Sequence, residues 1–257
     1  MKTILILSAH PDDEVLGIGG SIQYFKEQGY QVEVCCVTDG SSTQYKNNSQ
    51  ISSQKNLEHE QAFRLLNIDR LIRLSFPDMQ LDTVPHYLLN EELSKVFSEV
   101  KPEIIFTHSE HDLNKDHRLI YDSSLVITRF VHRPENSFFK KLMSYEVLSS
   151  SEWNMEKPFL PNFFINIEKY LSKKKEAFSY FKTEIRPYPH SRSLEGIDAL
   201  AKYRGLQSGF RFAEGFKIIK SFENYEDTET GTNSKNYFSN KPPVTRSYWE
   251  QNKENNE

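Results

Sequence analysis

Ile4-Leu5-Ile6-Leu7 is a continuous apolar run that leads through Ser8 into Ala9-His10-Pro11-Asp12-Asp13-Glu14. A run that is apolar at every position predicts a strand covered on both faces, because a strand with one wet side would alternate. From Asp13 to about Gln28 the apolar residues change to helical spacing (Val15, Leu16, Ile18, Ile22, Phe25), and Gly29 stops the helix. A buried strand, a polar turn and a helix in that order begin a layered α/β fold.

The same alternation continues outward. Val32 to Val37 reads as a second strand ending at Thr38-Asp39-Gly40, and Ser41 to Ser53, polar and without apolar period, reads as a mobile loop. Leu57, Ala62, Leu65 and Leu66 mark a helix, Leu71 to Phe76 a strand, Leu89 to Val100 a helix and Ile104-Ile105-Phe106 another buried strand. Strands separated by helices require parallel pairing through crossovers. Beyond residue 117, helices are expected at Leu119 to about Phe130, Glu168 to Phe181 and Leu194 to Arg204, with strands at Leu142 to Leu148 and Phe163 to Ile167. The predicted architecture is a Rossmann-like α/β fold with a mostly parallel central sheet, one domain over residues 1–225. Residues 226–257, rich in Asn, Ser, Thr, Lys and Glu and broken by Pro242-Pro243, form a polar tail from which Tyr248 and Trp249 could dock.

Composition narrows the function. The 257 residues, 37% hydrophobic with 18 Phe and 13 Tyr, are enough for a sizeable core and exclude wholesale disorder. A formal charge of −4 argues against a broad basic surface for nucleic acid. No apolar run approaches the roughly 20 residues of a membrane span, and Ile4–Leu7 is followed at once by His10 and acids, so neither a span nor a secretory leader is expected. Cys35 and Cys36 are adjacent and face opposite sides of a strand, which rules out an ordinary disulfide between them and predicts a reducing, cytoplasmic location. The sequence is compatible with homo-oligomer formation and specifies no partner chain.

In an open parallel sheet, ligands bind beyond the carboxyl ends of the strands. The first strand ends at His10-Pro11-Asp12-Asp13-Glu14, the second at Asp39, and the strand Ile104–Phe106 runs into Thr107-His108 and then Glu110-His111-Asp112-Leu113-Asn114-Lys115-Asp116-His117-Arg118. If those strands are neighbours, the clusters share one crevice, and a mononuclear metal fits it. A catalytic zinc takes three His or carboxylate ligands and keeps one position for water. His10 and Asp13 can supply two, and a histidine of the later cluster the third, with His117 favoured over His108 and His111. Adjacent Asp12 and Asp13 do not easily point at one place, so one can bind metal while the other faces the water as general base. Asp116, beside His117, can orient a ligand by hydrogen bond. The competing reading of Asp12, Asp13 and Glu14 is that they only cap a helix.

Ala9-His10-Pro11-Asp12-Asp13-Glu14, followed by Asp112-Leu113-Asn114-Lys115-Asp116-His117-Arg118, resembles the PIG-L (LmbE-like) family of zinc-dependent deacetylases acting on N-acetylated amino sugars. Weaker likeness runs through Glu58 and Ala62, Pro189-His190-Ser191-Arg192-Ser193, Arg204-Gly205 and Ala213-Glu214-Gly215-Phe216, so that the resemblance spans roughly residues 3–220. It implies that His10, Asp13 and His117 bind one zinc (Zn2+), or another divalent transition metal, and that Asp12 activates water. Two positions depart from it. Many members have His where this chain has Asn114, which leaves the acid or oxyanion-stabilising group unassigned. Many also have Arg where this chain has Lys55, which keeps the charge but loses the bidentate fork. His190 is the expected replacement acid, His108 its rival, and Lys55, Asn114 and Arg192 the expected substrate-binding groups. Arg204 and Glu214 are expected to form a structural ion pair or a helix-end contact.

The expected activity is hydrolysis of an N-acyl, most simply N-acetyl, group on an amino sugar or glycoconjugate. Two other classes compete: a catalytically silent sugar-binding protein of the same fold, and a magnesium-dependent phosphate-binding or phosphoacceptor domain. Intact Asp12 argues against the first. The imidazoles of His10 and His117, which suit zinc better than magnesium, argue against the second.

Overall fold

Strand β1 (Thr3–Ser8) is buried at all six positions and lies inside the sheet, third from one edge. The computed structural model describes residues 2–41, 43, 48–129 and 139–222; the polar tail 226–257, with Tyr248 and Trp249, and His132 lie outside them. Alternation carries β1 into two cores. Ile4 and Ile6 pack on one face of the sheet, in a cluster with Val15, Ile18 and Ile22, while Leu5 and Leu7 pack on the other with Leu89, Leu93 and Ile120.

The elements after β1 are α1 (Asp13–Glu27), β2 (Gln31–Thr38), α2 (Ser49–Leu65), β3 (Arg70–Phe76), α3 (His86–Val100), β4 (Ile104–His108) and α4 (Lys115–Ile127). They continue with β5 (Lys141–Tyr145), β6 (Phe163–Asn166), α5 (Leu171–Ser179), α6 (Leu194–Ser208) and β7 (Ala213–Ser221). The seven-stranded sheet has the order β3-β2-β1-β4-β5-β7-β6. β1 to β5 are parallel, whereas β7 runs antiparallel to both β5 and β6. The order reverses between β1 and β4, which pair directly through Ile4, Leu5 and Ile6 against Ile104, Ile105 and Phe106. Chains leaving those two strands at their carboxyl ends part in opposite directions and leave a crevice between them.

Two details differ from the sequence expectation. Ser49 to Ser53, expected in a loop, are the first turns of α2, because the Asn48 side chain caps it by accepting from the Gln50 and Ile51 amides. β7 is an additional strand that the half-polar run Ala213–Ser221 does not announce. The paired cysteines behave as expected: both are buried free thiols. Among the described residues no helix is long and apolar enough to cross a membrane.

Helix α1 carries the decisive turn, and three glycines let its neighbours come close. A Cβ on Gly17 would sit 2.2 Å from Tyr145 Cδ2, and one on Gly20 2.8 Å from Ile167 Cγ2. Beside Gly19, Lys174 reaches into the helix and donates to the Leu16 carbonyl at 2.7 Å and to Glu214 Oε1 at 2.5 Å. Glu214 in turn accepts from the Gly20 and Ser21 amides at 3.0 and 2.7 Å. A buried ion pair is thus spliced into the backbone ladder of α1, and losing either partner alone would strand a charge at a cost of about 3–5 kcal/mol. The expected Arg204–Glu214 pair is therefore not formed: Arg204 instead pairs bidentately with Glu146, both contacts being 2.6 Å.

Tyr145 cannot retreat from Gly17, since its hydroxyl donates to the Leu7 carbonyl at 2.8 Å. Gly17→Ala should consequently destabilise the protein by ~1–3 kcal/mol through overpacking, read as a lowered thermal midpoint. An unchanged midpoint would mean that the α1–Tyr145 contact does not constrain the fold.

Candidate metal centre and active-site cleft

Both ends of the crevice deliver polar groups. The turn after β1 is closed by Asp13, whose Oδ2 accepts from the His10 amide at 2.7 Å. Asp12, at the helix N-cap position, has φ 132° and makes no side-chain capping bond, so the helix-capping reading of this acid does not hold. Its carboxylate lies beside Arg192, whereas that of Asp13 meets the two imidazoles. After β4, the Asn114 side chain caps α4 by accepting from the Asp116 amide at 2.9 Å, which starts the helix so that Asp116 and His117 both lie in its buried first turn.

Three ligand atoms meet there. His10 Nδ1 lies 3.2 Å and His117 Nε2 3.4 Å from Asp13 Oδ2, and the two imidazole nitrogens are 3.3 Å apart. Atoms held about 2.0–2.1 Å from one ion at tetrahedral angles lie roughly 3.3 Å from each other. The trio therefore has the dimensions of one face of a tetrahedral site, and the other Asp13 oxygen, Oδ1, is buried without a hydrogen-bond partner. The donor set, two imidazoles and a carboxylate, suits zinc and its neighbours among the transition metals.

Each imidazole has a carboxylate behind it. His10 Nε2 is 3.3 Å from Asp116 Oδ2 and 3.4 Å from Asp78 Oδ1. His117 Nδ1 is 3.3 Å from Asp112 Oδ1, an ion-pair distance, and Asp112 is fixed by the Ser151 hydroxyl at 2.5 Å and the Asn114 amide at 2.9 Å. Such carboxylates set the ring orientation and leave the opposite nitrogen free to ligate. Asp116 thus faces His10, across the crevice, rather than its neighbour His117.

The charges show what the site is built to hold. Burial disfavours the charged forms, yet Asp13, Asp116 and Asp78 hold the His10 imidazole up at about 10. Against the same burial, Asp13 and Asp112 hold His117 at about 9. Burial alone would raise Asp13, but the two imidazoles drive its carboxyl well below the ordinary range. Positive charge is thus demanded at this point in space. Asp12 behaves oppositely: burial, then Asp13 and Glu184, outweigh Arg192 and Lys55 and push it up to about 8.

Beside the trio lies a cavity of about 70 Å³, lined by His10, Asp12, Lys55, Asp78, Asn114, Glu184 and Arg192 among others. Of the expected substrate groups, Lys55, Asn114 and Arg192 are therefore brought together with His10 and Asp12. Lys55 Nζ pairs with Glu184 Oε1 at 2.6 Å and donates to the Gly40 carbonyl at 2.6 Å. Arg192 Nη1 donates to Glu184 Oε2 at 2.5 Å and lies 3.5 Å from Asp12 Oδ2.

The two expected acids fare differently. His190 is exposed and is not among the residues lining the cavity; its Nδ1 accepts from the Arg192 amide at 3.0 Å, which ties the ring to its own turn. His108 is fully buried behind His117, with ring centroids 3.9 Å apart, and its Nε2 accepts from the Ala9 amide at 2.9 Å. Burial and His117 hold the His108 pKa well below its usual value. Sequence reasoning missed Glu184 and Asp78 and gave Asp112 no role; His59, read as a surface or hydrogen-bonded histidine and not a ligand, is buried against Glu14 at 3.0 Å. Asp112 stood in the quoted motif and could have been found there; Glu184 stands in no pattern.

If the trio holds a metal, His10→Ala and His117→Ala should each lose it from the purified protein, measured by mass spectrometry of metal content. Asp112→Asn should weaken affinity by about 10–100-fold while the fold persists. Full metal content in both alanine variants would place the metal elsewhere.

Residues 5–127 match the model of the PIG-L family, described as GlcNAc-PI de-N-acetylase. The uncharacterized deacetylase YaiS of Escherichia coli K12 is 26% identical over 191 residues, covering 71% of this chain and 91% of its own. Among solved structures, the N,N'-diacetylchitobiose deacetylase of Pyrococcus horikoshii has a TM-score of 0.70 at 21% identity, over 85% of this chain and 84% of its own. GalB, the 4-carboxy-2-hydroxymuconate hydratase of Pseudomonas putida, has a TM-score of 0.67 at 22% identity, over 88% and 100%. These two share the fold and differ in reaction, so chemistry has to be read from the site. The match to the PIG-L family spans residues 5–127, a stretch that includes both the turn after β1 and α4.

Proposed function

We propose that the protein is a metal-dependent amidohydrolase that removes the acetyl group from an N-acetylated amino sugar. The observation that carries this reading is the pairing of a three-atom ligand set with a separate, buried carboxylate, Asp12, whose Oδ2 has no hydrogen-bond partner and which lines the same cleft. The family description and the name of the Pyrococcus horikoshii enzyme support the acyl-sugar substrate, and the name of YaiS supports deacetylation.

His10, Asp13 and His117 would hold zinc, which when bound supplies a Lewis acid and lowers the pKa of water. Asp12 accepts a proton from the attacking water as its oxygen bonds to the acyl carbon. The carbon–nitrogen bond then breaks, and the proton held by Asp12 passes to the departing nitrogen, giving a free amine and acetate. Arg192, 3.5 Å from Asp12 Oδ2, keeps that carboxylate oriented and moderates its charge. Asn114, at the position where many members of the family carry histidine, is engaged as a helix cap. We therefore assign proton delivery to Asp12, with His190 the competing assignment.

Asp12→Asn should keep the metal and lose turnover by ~10²–10⁴-fold, whereas Asp13→Asn should lose metal. Acetate release from N,N'-diacetylchitobiose is the assay; a near-normal rate in Asp12→Asn defeats the mechanism. His190→Ala decides the acid. An imidazolium donor is lost as pH rises, so if His190 delivers the proton its removal slows the rate and abolishes the alkaline limb of the pH profile. With Asp12 in that role, His190→Ala keeps both.

A further inference from the structure

The cleft contains two cations, and one residue occupies both. Glu184 gives Oε1 to Lys55 at 2.6 Å and Oε2 to Arg192 at 2.5 Å, and is itself buried. The segment bearing it is fastened to α2 a second time, through the Thr183 hydroxyl to Glu58 Oε2 at 2.7 Å. Glu184 is thus a fixed bridge between the helix that supplies Lys55 and the loop that supplies Arg192.

The charge balance follows from the lining. With Asp12 ionised, as the proposed base must be, Asp12, Asp78 and Glu184 set three carboxylates against Lys55 and Arg192 in the lining of the cleft. A dication on the ligand trio would be more than neutralised by Asp13, Asp112 and Asp116, which surround it. A phosphate or carboxylate entering here meets like charge, and could use either cation only by displacing Glu184 from a buried ion pair. A sugar hydroxyl meets no such barrier, since it can donate to a carboxylate and accept from a guanidinium at once.

We propose that Glu184 is a specificity-determining residue, admitting an uncharged, hydroxyl-bearing sugar to the cleft and turning away sugars whose aglycone carries a phosphate or carboxylate. This rests on the sugar-deacetylase reading, so the test includes an arm that is independent of catalysis. In the metal-loaded full chain, kcat/KM for acetate release is compared between N,N'-diacetylchitobiose and N-acetylglucosamine 1-phosphate. In the metal-free chain, where phosphate has no metal to coordinate, binding of the same two compounds is titrated by ligand-observed NMR. The expected result is a preference of about tenfold or more for the neutral sugar in both arms, narrowing or reversing in Glu184→Gln, which removes the negative charge that Lys55 and Arg192 share while keeping the side chain's shape.

Equal or better use of the phosphate by the native chain overturns the proposal, and so does a preference that Glu184→Gln leaves unmoved, since the native ratio needs no variant to fold. If no acetate is released from either compound but the neutral one binds selectively, the enzymatic reading fails and the selectivity stands. No acetate release together with no binding of either compound overturns both.

Discussion

Everything around the crevice is arranged about one oxygen, Oδ2 of Asp13. Its carboxylate is fully buried, and on that oxygen converge the His10 amide, the His10 and His117 imidazoles and, at 3.6 Å, the His108 ring. A buried anion of this kind is tolerable only where positive charge comes to meet it. Two protonated imidazoles can meet that demand, and so can one divalent ion with the imidazoles neutral. The first arrangement packs two like-charged rings in contact. The second replaces their repulsion with shared coordination, and the interatomic spacings near 3.3 Å suit it.

The geometry around that oxygen depends in turn on a helix that begins in the right place. α1 is fixed at its start by the β1 turn, along its length by Tyr145 against Gly17, and in its middle by the Lys174–Glu214 pair that enters its hydrogen-bond ladder. Charged groups are used here where an apolar contact would bury comparable surface. An ion pair that bonds specific backbone groups fixes the helix along its own axis, which a smooth apolar contact would not.

The first half of the fold was legible because β1, β2 and β4 each carry a continuous apolar run (Ile4–Leu7, Val34–Val37, Ile104–Phe106) and the helices between them do not, so the change of period shows the boundaries. β7 was not, since Glu214, Lys217 and Lys220 interrupt its apolar residues and its pairing with β5 is set by tertiary contact alone. The candidate metal trio could be read because strand ends in a parallel sheet converge, and His10, Asp13 and His117 all follow such ends. Glu184 could not: it stands in an irregular stretch, and its partnership with Lys55 exists only once α5 and α2 have packed. His190 shows the limit of proximity along the chain, since Arg192, two residues on in the same turn, reaches the cleft while the imidazole stays outside.

The backbone of Asp12 sets a conflict at a single position. At φ 132° an L-residue is held where only glycine rests without strain, and its buried carboxylate adds a desolvation cost on top of that. A glycine at this point would relieve both penalties and delete the group that faces the cleft. With Asp12 as the proposed base, selection for durability and selection for turnover pull residue 12 in opposite directions, and the aspartate is what selection for turnover would keep.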